Sequence, residues 1–161
     1  MTRKISKIKY TDGLLEIEIQ EAEGTREEES KYRNRETPRP ELDKTLQALK
    51  PEALKICELP DDYGKNMRVS GVSLSHKQDV MGATITLVKK LTHSNTPFVI
   101  NTPFLPSEPY NHADQNAPTL STITVKLIET LVDEAEEYID GDRAQMEMTV
   151  AKPETKKKNK K

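Results

Sequence analysis

The side chains that could perform chemistry in this sequence are few, and their spacing matches no metal or catalytic motif. Three histidines, His76, His93 and His112, fall in predicted loops or at predicted strand ends. The sequence contains no HxxxH or HxH pair, whereas a zinc site needs several ligands that converge at about 2 Å. The spacing therefore favours three separate surface histidines over a metal site.

Carboxylates and the single thiol are the other candidates for chemistry. Asp61–Asp62 and Asp140–Asp142 are the tight acidic pairs outside the glutamate-rich runs, and such pairs can bind Mg²⁺ or transfer protons. Both pairs fall at predicted ends of elements, where aspartate is common in turns and caps. Cys57 lies on the apolar face of a predicted helix, which favours a packing thiol over a nucleophile. Because the sequence has no GxxxxGK[ST], GxGxxG or GxSxG motif, we expect a non-catalytic protein that uses no cofactor and no metal.

The stretch NTPFLPSEPYNH, residues 101–112, has the composition of a recognition surface. Its prolines fix φ at about −65° and bias the residues before them to extended conformations. A stiff backbone has little conformational entropy left to lose on binding. The candidate partner-binding residues are Phe104, Leu105, Tyr110 and His112. The alternative is that Phe104 and Leu105 fold inward and attach the crossover to the next helix.

Charge is unevenly distributed along the chain. The net charge is −2, but residues 151–161 carry six lysines and one glutamate, so the net charge of residues 1–150 is −7. A lysine cluster attracts phosphate backbones through counterion release, and the candidate nucleic-acid contacts are Lys156, Lys157, Lys158, Lys160 and Lys161. The alternative is a disordered tail that aids solubility or is left over from cloning. Since an acidic body is a poor surface for nucleic acid, binding would need this tail or a local patch.

Periodicity in the first half of the chain predicts a hairpin, an edge strand and a bent helix. Apolar residues alternate with polar ones from Ile5 to Ile19 on both sides of Asp12-Gly13, the signature of a hairpin. The charged stretch TREEESKYRNRETPRP fits either a third, exposed strand or a loop, and its charges favour a strand at the edge of the sheet. Pro40 opens a helix whose apolar face runs from Leu42 to Cys57. Pro51 should kink this helix or divide it near Lys50.

The second half predicts further strands and one long helix. MRVSGVSLS and MGATITLVKKL alternate as strands, with a bulge at Gly71, and PFVIN fits a short strand of the buried type. Residues 118–140 should form one continuous helix, with an apolar stripe from Ile123 to Ile139 and with Leu127, Leu131 and Ala135 buried against a sheet. The order of elements predicts a single α+β domain over residues 1–150, with a mainly antiparallel sheet packed by one long C-terminal helix and a shorter kinked helix. A disordered lysine-rich tail, residues 151–161, should follow it.

Composition bounds the class of protein. Hydrophobic residues make up 34% of the chain and charged residues 32%, which is typical of a well-hydrated protein with a modest core. No apolar run approaches the roughly 18 residues that a membrane span needs, and the start of the chain lacks the apolar region of a signal peptide. One cysteine excludes an internal disulfide framework. We therefore expect an intracellular protein that does not enter a membrane.

Several blocks taken together resemble a family of small, uncharacterised proteins encoded by tailed phages and prophages. They are IKYTDGLLEIEIQE, ICELPDDY, VSGVSLS, MGATITLVKKL, INTPFLPSEPY and YIDGDRAQ, and the similarity covers residues 5–146. Such proteins are often encoded in early gene regions near replication and recombination genes. The resemblance implies an accessory protein in the cytoplasm of the host cell, and it supplies no catalytic residue.

The expected function is therefore binding, in phage nucleic-acid metabolism. We expect a protein partner, with nucleic acid as a further partner through the lysine tail, and a homo-oligomer is compatible with the sequence. An alternative is a phage-encoded antagonist of a host defence system, which blocks a nuclease with the acidic body or sequesters a nucleotide signal. A third hypothesis is a small enzyme of unrecognised type.

Overall fold

Seven antiparallel strands form one sheet in the computed structural model, which describes residues 2–110 and 116–141. The strands are β1 (Thr2–Thr11), β2 (Leu14–Glu23), β3 (Arg26–Asn34), β4 (Arg68–Ser75), β5 (Gly82–Lys89), β6 (Phe98–Asn101) and β7 (Leu105–Pro106), and the helices are α1 (Pro40–Ala48), α2 (Lys50–Ile56) and α3 (Thr122–Ile139). The sheet order is β3-β2-β1-β4-β5-β6, and the short β7 also pairs with β5. The predicted α+β class with a mainly antiparallel sheet is confirmed.

The first hairpin forms where the sequence predicts it. Asp12 and Gly13 have φ angles of 53° and 78°, the left-handed values that a two-residue hairpin turn requires. The register places Ile5 opposite Ile19 and Ile8 opposite Ile17, so the apolar residues of both strands share one face. The charged β3 pairs with β2 along its whole length and forms one edge of the sheet, as predicted.

Three helices cover the apolar face of the sheet. Pro51 lies in the first turn of α2, so the predicted bent helix is two short helices, α1 and α2, that meet at Leu49. α1 packs over β4, α2 over β5, and α3 packs against α1 and also contacts β1. The core between the two layers contains Leu46, Val69 and Ile85, each with no exposed surface.

The long helix α3 begins later than predicted, and its buried stripe contains Thr124 but not Ile123. It starts at Thr122 because the hydroxyl of Ser121 caps it, accepting a hydrogen bond from the Thr124 N–H at 3.1 Å. Leu131 and Ala135 are buried as predicted, but Leu127 is half-buried and Ile123 is 59% exposed. The buried stripe consists of Thr124, Ile128, Leu131, Ala135 and Tyr138. Around the helix, Ile123 lies about 100° and Leu127 about 60° from Thr124. Leu127 is therefore half-buried at the border of the stripe and Ile123 is exposed, so the predicted burial of Leu127 and the place of Ile123 in the apolar stripe were wrong.

The strand predicted from PFVIN exists as β6, but it is not a buried strand. Phe98 is 43% and Val99 46% exposed. Their apolar character suggested burial on both faces, whereas β6 is the last strand in the sheet order and, within residues 2–110 and 116–141, has a strand on one side only. A short apolar run therefore marks an exposed edge here, and not the middle of the sheet.

Candidate functional site

The sheet face opposite the helices contains a broad cleft of about 1200 Å³ over β1, β4, β5 and β6. The alternation that directs Ile8 and Val72 towards the helices directs their neighbours towards this open face. The register aligns four open-face residues in one row across the four strands. In order across the sheet, they are Lys9, Gly71, Thr86 and Asn101. The hydroxyl of Thr86 donates a hydrogen bond of 2.7 Å to Oδ1 of Asn101, which completes a polar floor.

Gly71 is required by the close approach of β1 to β4. A Cβ atom at this position would lie 2.6 Å from the carbonyl oxygen of Ile8 and 3.1 Å from Cα of Lys9. The register between β4 and β5 shifts between Val69 and Gly71, which confirms the predicted bulge and makes Ser70 its extra residue. Because the row has no side chain at Gly71, it leaves open space between the lysine on β1 and the threonine on β5.

The cleft is positively charged on a protein whose body is negative. Its lining contains four cationic side chains, Lys7, Lys9, Arg68 and Lys90, and one anionic side chain, Asp12, for a net charge of +3. Residues 1–150 as a whole have a net charge of −7. A basic concave surface of this kind concentrates anions from solution.

Three of the four cations form ion pairs at the rim of the cleft. The nitrogen–oxygen distances are 3.9 Å for Lys7–Glu18, 2.9 Å for Arg68–Asp43 and 3.4 Å for Lys90–Asp12. All six side chains are well exposed, and exposed pairs contribute only about 0–1 kcal/mol. These pairs therefore leave the cations available to a stronger anionic ligand.

Lys9 has no ion-pair partner within the described part of the chain. Its neighbour across the β1–β2 ladder is Glu16, but Glu16 forms an ion pair with Arg33 at 3.4 Å. Glu18, the next carboxylate along β2, likewise has a cross-strand cation, Lys31, at 3.7 Å. Lys9 is therefore the cleft cation for which the described residues provide no carboxylate partner.

The helical layer on the far side of the sheet carries the opposite charge. Along α3 and its C-cap, acidic residues recur at intervals of four, three and four, at Glu129, Asp133, Glu136 and Asp140. This spacing places them on one face of the helix, away from its buried stripe. The protein therefore presents an acidic helix on one side and a basic cleft on the other.

The proline-rich segment is attached to the edge of β5. The N–H of Thr102 donates to the carbonyl of Ile85, and the hydroxyl of Thr102 accepts from the N–H of Ile85, both at 2.9 Å. Farther along, the N–H of Ser107 donates to the carbonyl of Met81 at 2.7 Å. These bonds support the alternative in which the segment is a structural connection between sheet and helix.

The aromatic rings of this segment nevertheless remain exposed. Phe104 is 44% and Tyr110 37% exposed, Leu105 is half-buried in β7, and none of the three lines the cleft. The ring of Phe104 lies against Gly82, where a Cβ atom would overlap it, and the ammonium of Lys77 lies 5.8 Å from the centre of the Tyr110 ring. These three residues therefore lie outside the cleft, whereas Asn101, the first residue of the segment, lines it. Contact of Phe104, Leu105 and Tyr110 with a protein partner stays a prediction. His112, also a candidate, and the five tail lysines lie outside the described residues.

The groups with catalytic or metal-binding potential lie apart from the cleft. His76 Nε2 is 3.3 Å from the carbonyl of Ile5, and His93 is exposed in the loop between β5 and β6. Burial raises the pKa of the Cys57 thiol above its usual range, so the thiol stays protonated near neutral pH. Among residues 2–110 and 116–141, no three His, Cys, Asp or Glu side chains are placed to hold a metal ion. Within the same ranges, no helix has the length and apolarity needed to cross a membrane.

None of the cleft cations is among the site residues predicted from the sequence. Lys7 and Lys9 flank Ile8 in the alternating pattern, which indicates that both point away from the core. The sequence does not indicate that Arg68 and Lys90 join them, because that depends on β1 pairing with β4. No family model, curated protein or solved structure matches the chain.

Proposed function

We propose that this protein is a non-catalytic accessory protein that binds the phosphate backbone of nucleic acid in the cleft over β1, β4, β5 and β6. The observation that most supports the proposal is the net charge of +3 in the cleft of a body whose net charge is −7. A concave surface with a net positive charge, on a protein whose body has a net negative charge, is typical of an anion-binding surface. A role in phage nucleic-acid metabolism, which the resemblance implies, agrees with such a ligand.

The lining favours contact with the backbone over contact with bases. Besides its cations, the cleft contains hydroxyl and amide groups, among them Thr11, Ser73, Thr86 and Asn101. Lysine, arginine, serine, threonine and asparagine side chains are the usual partners of phosphate and sugar oxygens. Base stacking requires aromatic rings, and the cleft lining has none in the described part of the chain. Binding should therefore be independent of nucleotide sequence and strongly dependent on salt.

The test compares two double variants that remove the same charge from different surfaces. Lys7→Gln with Lys9→Gln removes two cations from the cleft, and Lys44→Gln with Lys126→Gln removes two exposed cations from the helices. Fluorescence anisotropy with a labelled DNA duplex, over a series of salt concentrations, gives the slope of log K against log salt for each protein. That slope is negative, at about −0.9 for each phosphate contact. It should therefore be less steep by about 1.8 in the cleft variant and the same as the parent's in the helix variant.

Removing residues 151–161 from each of these proteins separates the cleft from the lysine tail. If the cleft binds, the shortened parent still binds duplex and the shortened cleft variant binds more weakly. Equal affinity and equal slope for the parent and the cleft variant would reject the proposal.

The acidic face of α3 favours a second candidate function, the antagonism of a host nuclease. A row of carboxylates at Glu129, Asp133, Glu136 and Asp140 offers a nuclease a surface with the charge of a DNA backbone. In this case the protein should slow degradation of DNA by a bacterial extract. Asp133→Asn with Glu136→Gln should remove the protection, whereas Lys7→Gln with Lys9→Gln should keep it. If the protein gives no protection, or if the acidic and basic variants lose it equally, this second candidate is rejected.

A further inference from the structure

The two edges of the sheet differ in a way that bears on self-association. The β3 edge carries many charged side chains, including Glu27, Glu28 and Glu29, and charges of this kind keep an exposed edge from pairing with another chain. At the other edge, residues 91–107 contain no Asp, Glu, Lys or Arg, in a chain of which 32% is charged. No strand of the described residues pairs with the outer side of β6. The β6 edge therefore lacks the protection that the β3 edge has.

The direction of the backbone groups of β6 follows from its pairing with β5. The N–H of Thr102 points to β5, where it donates to the carbonyl of Ile85. In an antiparallel ladder, the backbone groups of successive residues point alternately to one side and the other. Those of Ile100 therefore point to β5, and those of Val99 and Asn101 point outward.

Two prolines bound this outward-facing ladder. Pro97 and Pro103 occupy outward positions, so their missing N–H groups cost the pairing with β5 nothing. Only the five residues from 98 to 102 can therefore pair fully with another strand, and Ile100 is at their centre.

We propose that β6 pairs antiparallel with β6 of a second copy of this chain, about a twofold axis that passes beside Ile100. This register places Val99 opposite Asn101 of the other copy, and Asn101 opposite its Val99. Each of these two pairs exchanges two backbone hydrogen bonds, so the outward groups of both strands are satisfied. A register centred on Val99 would place Pro97 in a hydrogen-bonded position, where it has no N–H to donate.

A second copy suits this edge better than a charged partner does. Each copy is negatively charged, with a net charge of −2 for the whole chain and −7 for residues 1–150. Two copies therefore repel each other and approach most easily through a region without charged side chains. The edge between residues 91 and 107 is such a region, and it offers a charged partner no complementary charge. Pairing also places Ile100 against its own counterpart and covers Phe98 and Val99, which are 43% and 46% exposed.

The twofold axis of an antiparallel strand pair is perpendicular to the sheet, so it keeps the open faces of both copies on the same side. Val99 and Asn101 line the cleft, so each cleft continues across β6 into the other. The pairing itself does not depend on any ligand, and it is tested below without nucleic acid. Its failure would leave the proposed binding function untouched.

Single cysteines test the register directly, in the full chain carrying Cys57→Ser. Ile100→Cys places a thiol opposite its own counterpart, with Cα atoms about 4.5 Å apart, within the range of about 4.4–6.8 Å that a disulfide needs. Phe98→Cys is the matched control, because Phe98 lies four residues along the strand from its counterpart, a separation of about 13 Å. We expect oxidation to cross-link the Ile100→Cys protein into dimers and to leave the Phe98→Cys protein monomeric. Equal cross-linking of the two variants, or none of the Ile100→Cys protein, would overturn the proposal.

A second pair of variants tests the association without cross-linking. Val99→Pro removes one outward N–H and no bond to β5, while Val99→Thr keeps that N–H. Sedimentation velocity over a range of protein concentrations should show a monomer–dimer equilibrium for the parent and for Val99→Thr, and a monomer for Val99→Pro with an unchanged circular dichroism spectrum. A parent that stays monomeric at every concentration, or a Val99→Pro protein that still dimerises, would refute the pairing.

Discussion

Replacing Thr102 with valine should destabilise the protein more than replacing it with serine does, because the Thr102 hydroxyl takes the place of a backbone acceptor in the sheet. Thr102 is 4% exposed and Ile85 has no exposed surface. The hydroxyl accepts the N–H of Ile85 at 2.9 Å, just where the chain leaves β6 and β7 has not yet begun. Valine has almost the same shape as threonine but cannot accept this hydrogen bond.

The size of each effect follows from what the substitution leaves behind. Thr102→Val leaves the buried Ile85 N–H without its acceptor, which lowers the free energy of unfolding by about 1–3 kcal/mol. Thr102→Ser keeps the hydroxyl and loses one buried methyl group, at about 0.8 kcal/mol. The valine variant should therefore be less stable than the serine variant by up to about 2 kcal/mol.

Urea unfolding followed by circular dichroism measures both differences, and the dependence on urea should be unchanged because the surface exposed on unfolding is the same. Amide hydrogen exchange gives a local readout, since the Ile85 amide should exchange faster in Thr102→Val than in Thr102→Ser. If the serine variant is as unstable as the valine variant, and the Ile85 amide exchanges equally fast in both, then the hydroxyl does not replace an acceptor and the reasoning fails.

Three further predictions concern the core, the tail and the thiol. Leu131→Ala should lower the free energy of unfolding by about 2–5 kcal/mol. Ile123→Ala, on the exposed side of α3, should lower it by no more than about 0.5 kcal/mol. Equal effects of the two substitutions in urea titrations would contradict the burial pattern. Deletion of residues 151–161 should leave the melting temperature unchanged and reduce the salt dependence of any nucleic-acid binding. A truncated chain that unfolds would show that the tail belongs to the fold. The pH at which alkylation of Cys57 reaches half its maximal rate should be higher in the native protein than in urea, because burial raises the pKa of the native thiol. The unfolded chain loses this proton more readily, so stability should fall as the pH rises through the range in which the unfolded thiol titrates; equal midpoints in the native and the unfolded protein would contradict the assignment.

The elements that the sequence predicts correctly are those set by interactions between near neighbours. Asp12-Gly13 specifies a hairpin turn because both residues accept positive φ. Pro51 divides the first helix because it cannot donate the hydrogen bond that a continuous helix needs. Even the corrected start of α3 has a local cause, the cap formed by Ser121 with Thr124, and a closer reading of capping residues would have found it.

The predictions that were wrong concern exposure, which depends on the layer that a residue meets. Ile123 and Leu127 belong to an apolar helix, but α3 packs mainly against α1 and buries a narrower stripe centred near Thr124 and Ile128. Phe98 and Val99 look like residues of a buried strand, yet β6 is the last strand of the sheet in the described part of the chain. Periodicity shows that an element has an apolar side, but not how much of that side another element covers.

By itself the sequence determined the α+β class, the first hairpin, the divided helix, the bulge at Gly71 and the segregation of lysines into the tail. The cleft was decided by tertiary structure alone, because its central row joins Lys9 to Gly71, Thr86 and Asn101 across strands that are distant in the chain. The neutral edge at β6 was decided in the same way, by the sheet order. Alternation tells which face of its own strand a side chain occupies, whereas the neighbours of that strand depend on long-range pairing that no local pattern encodes.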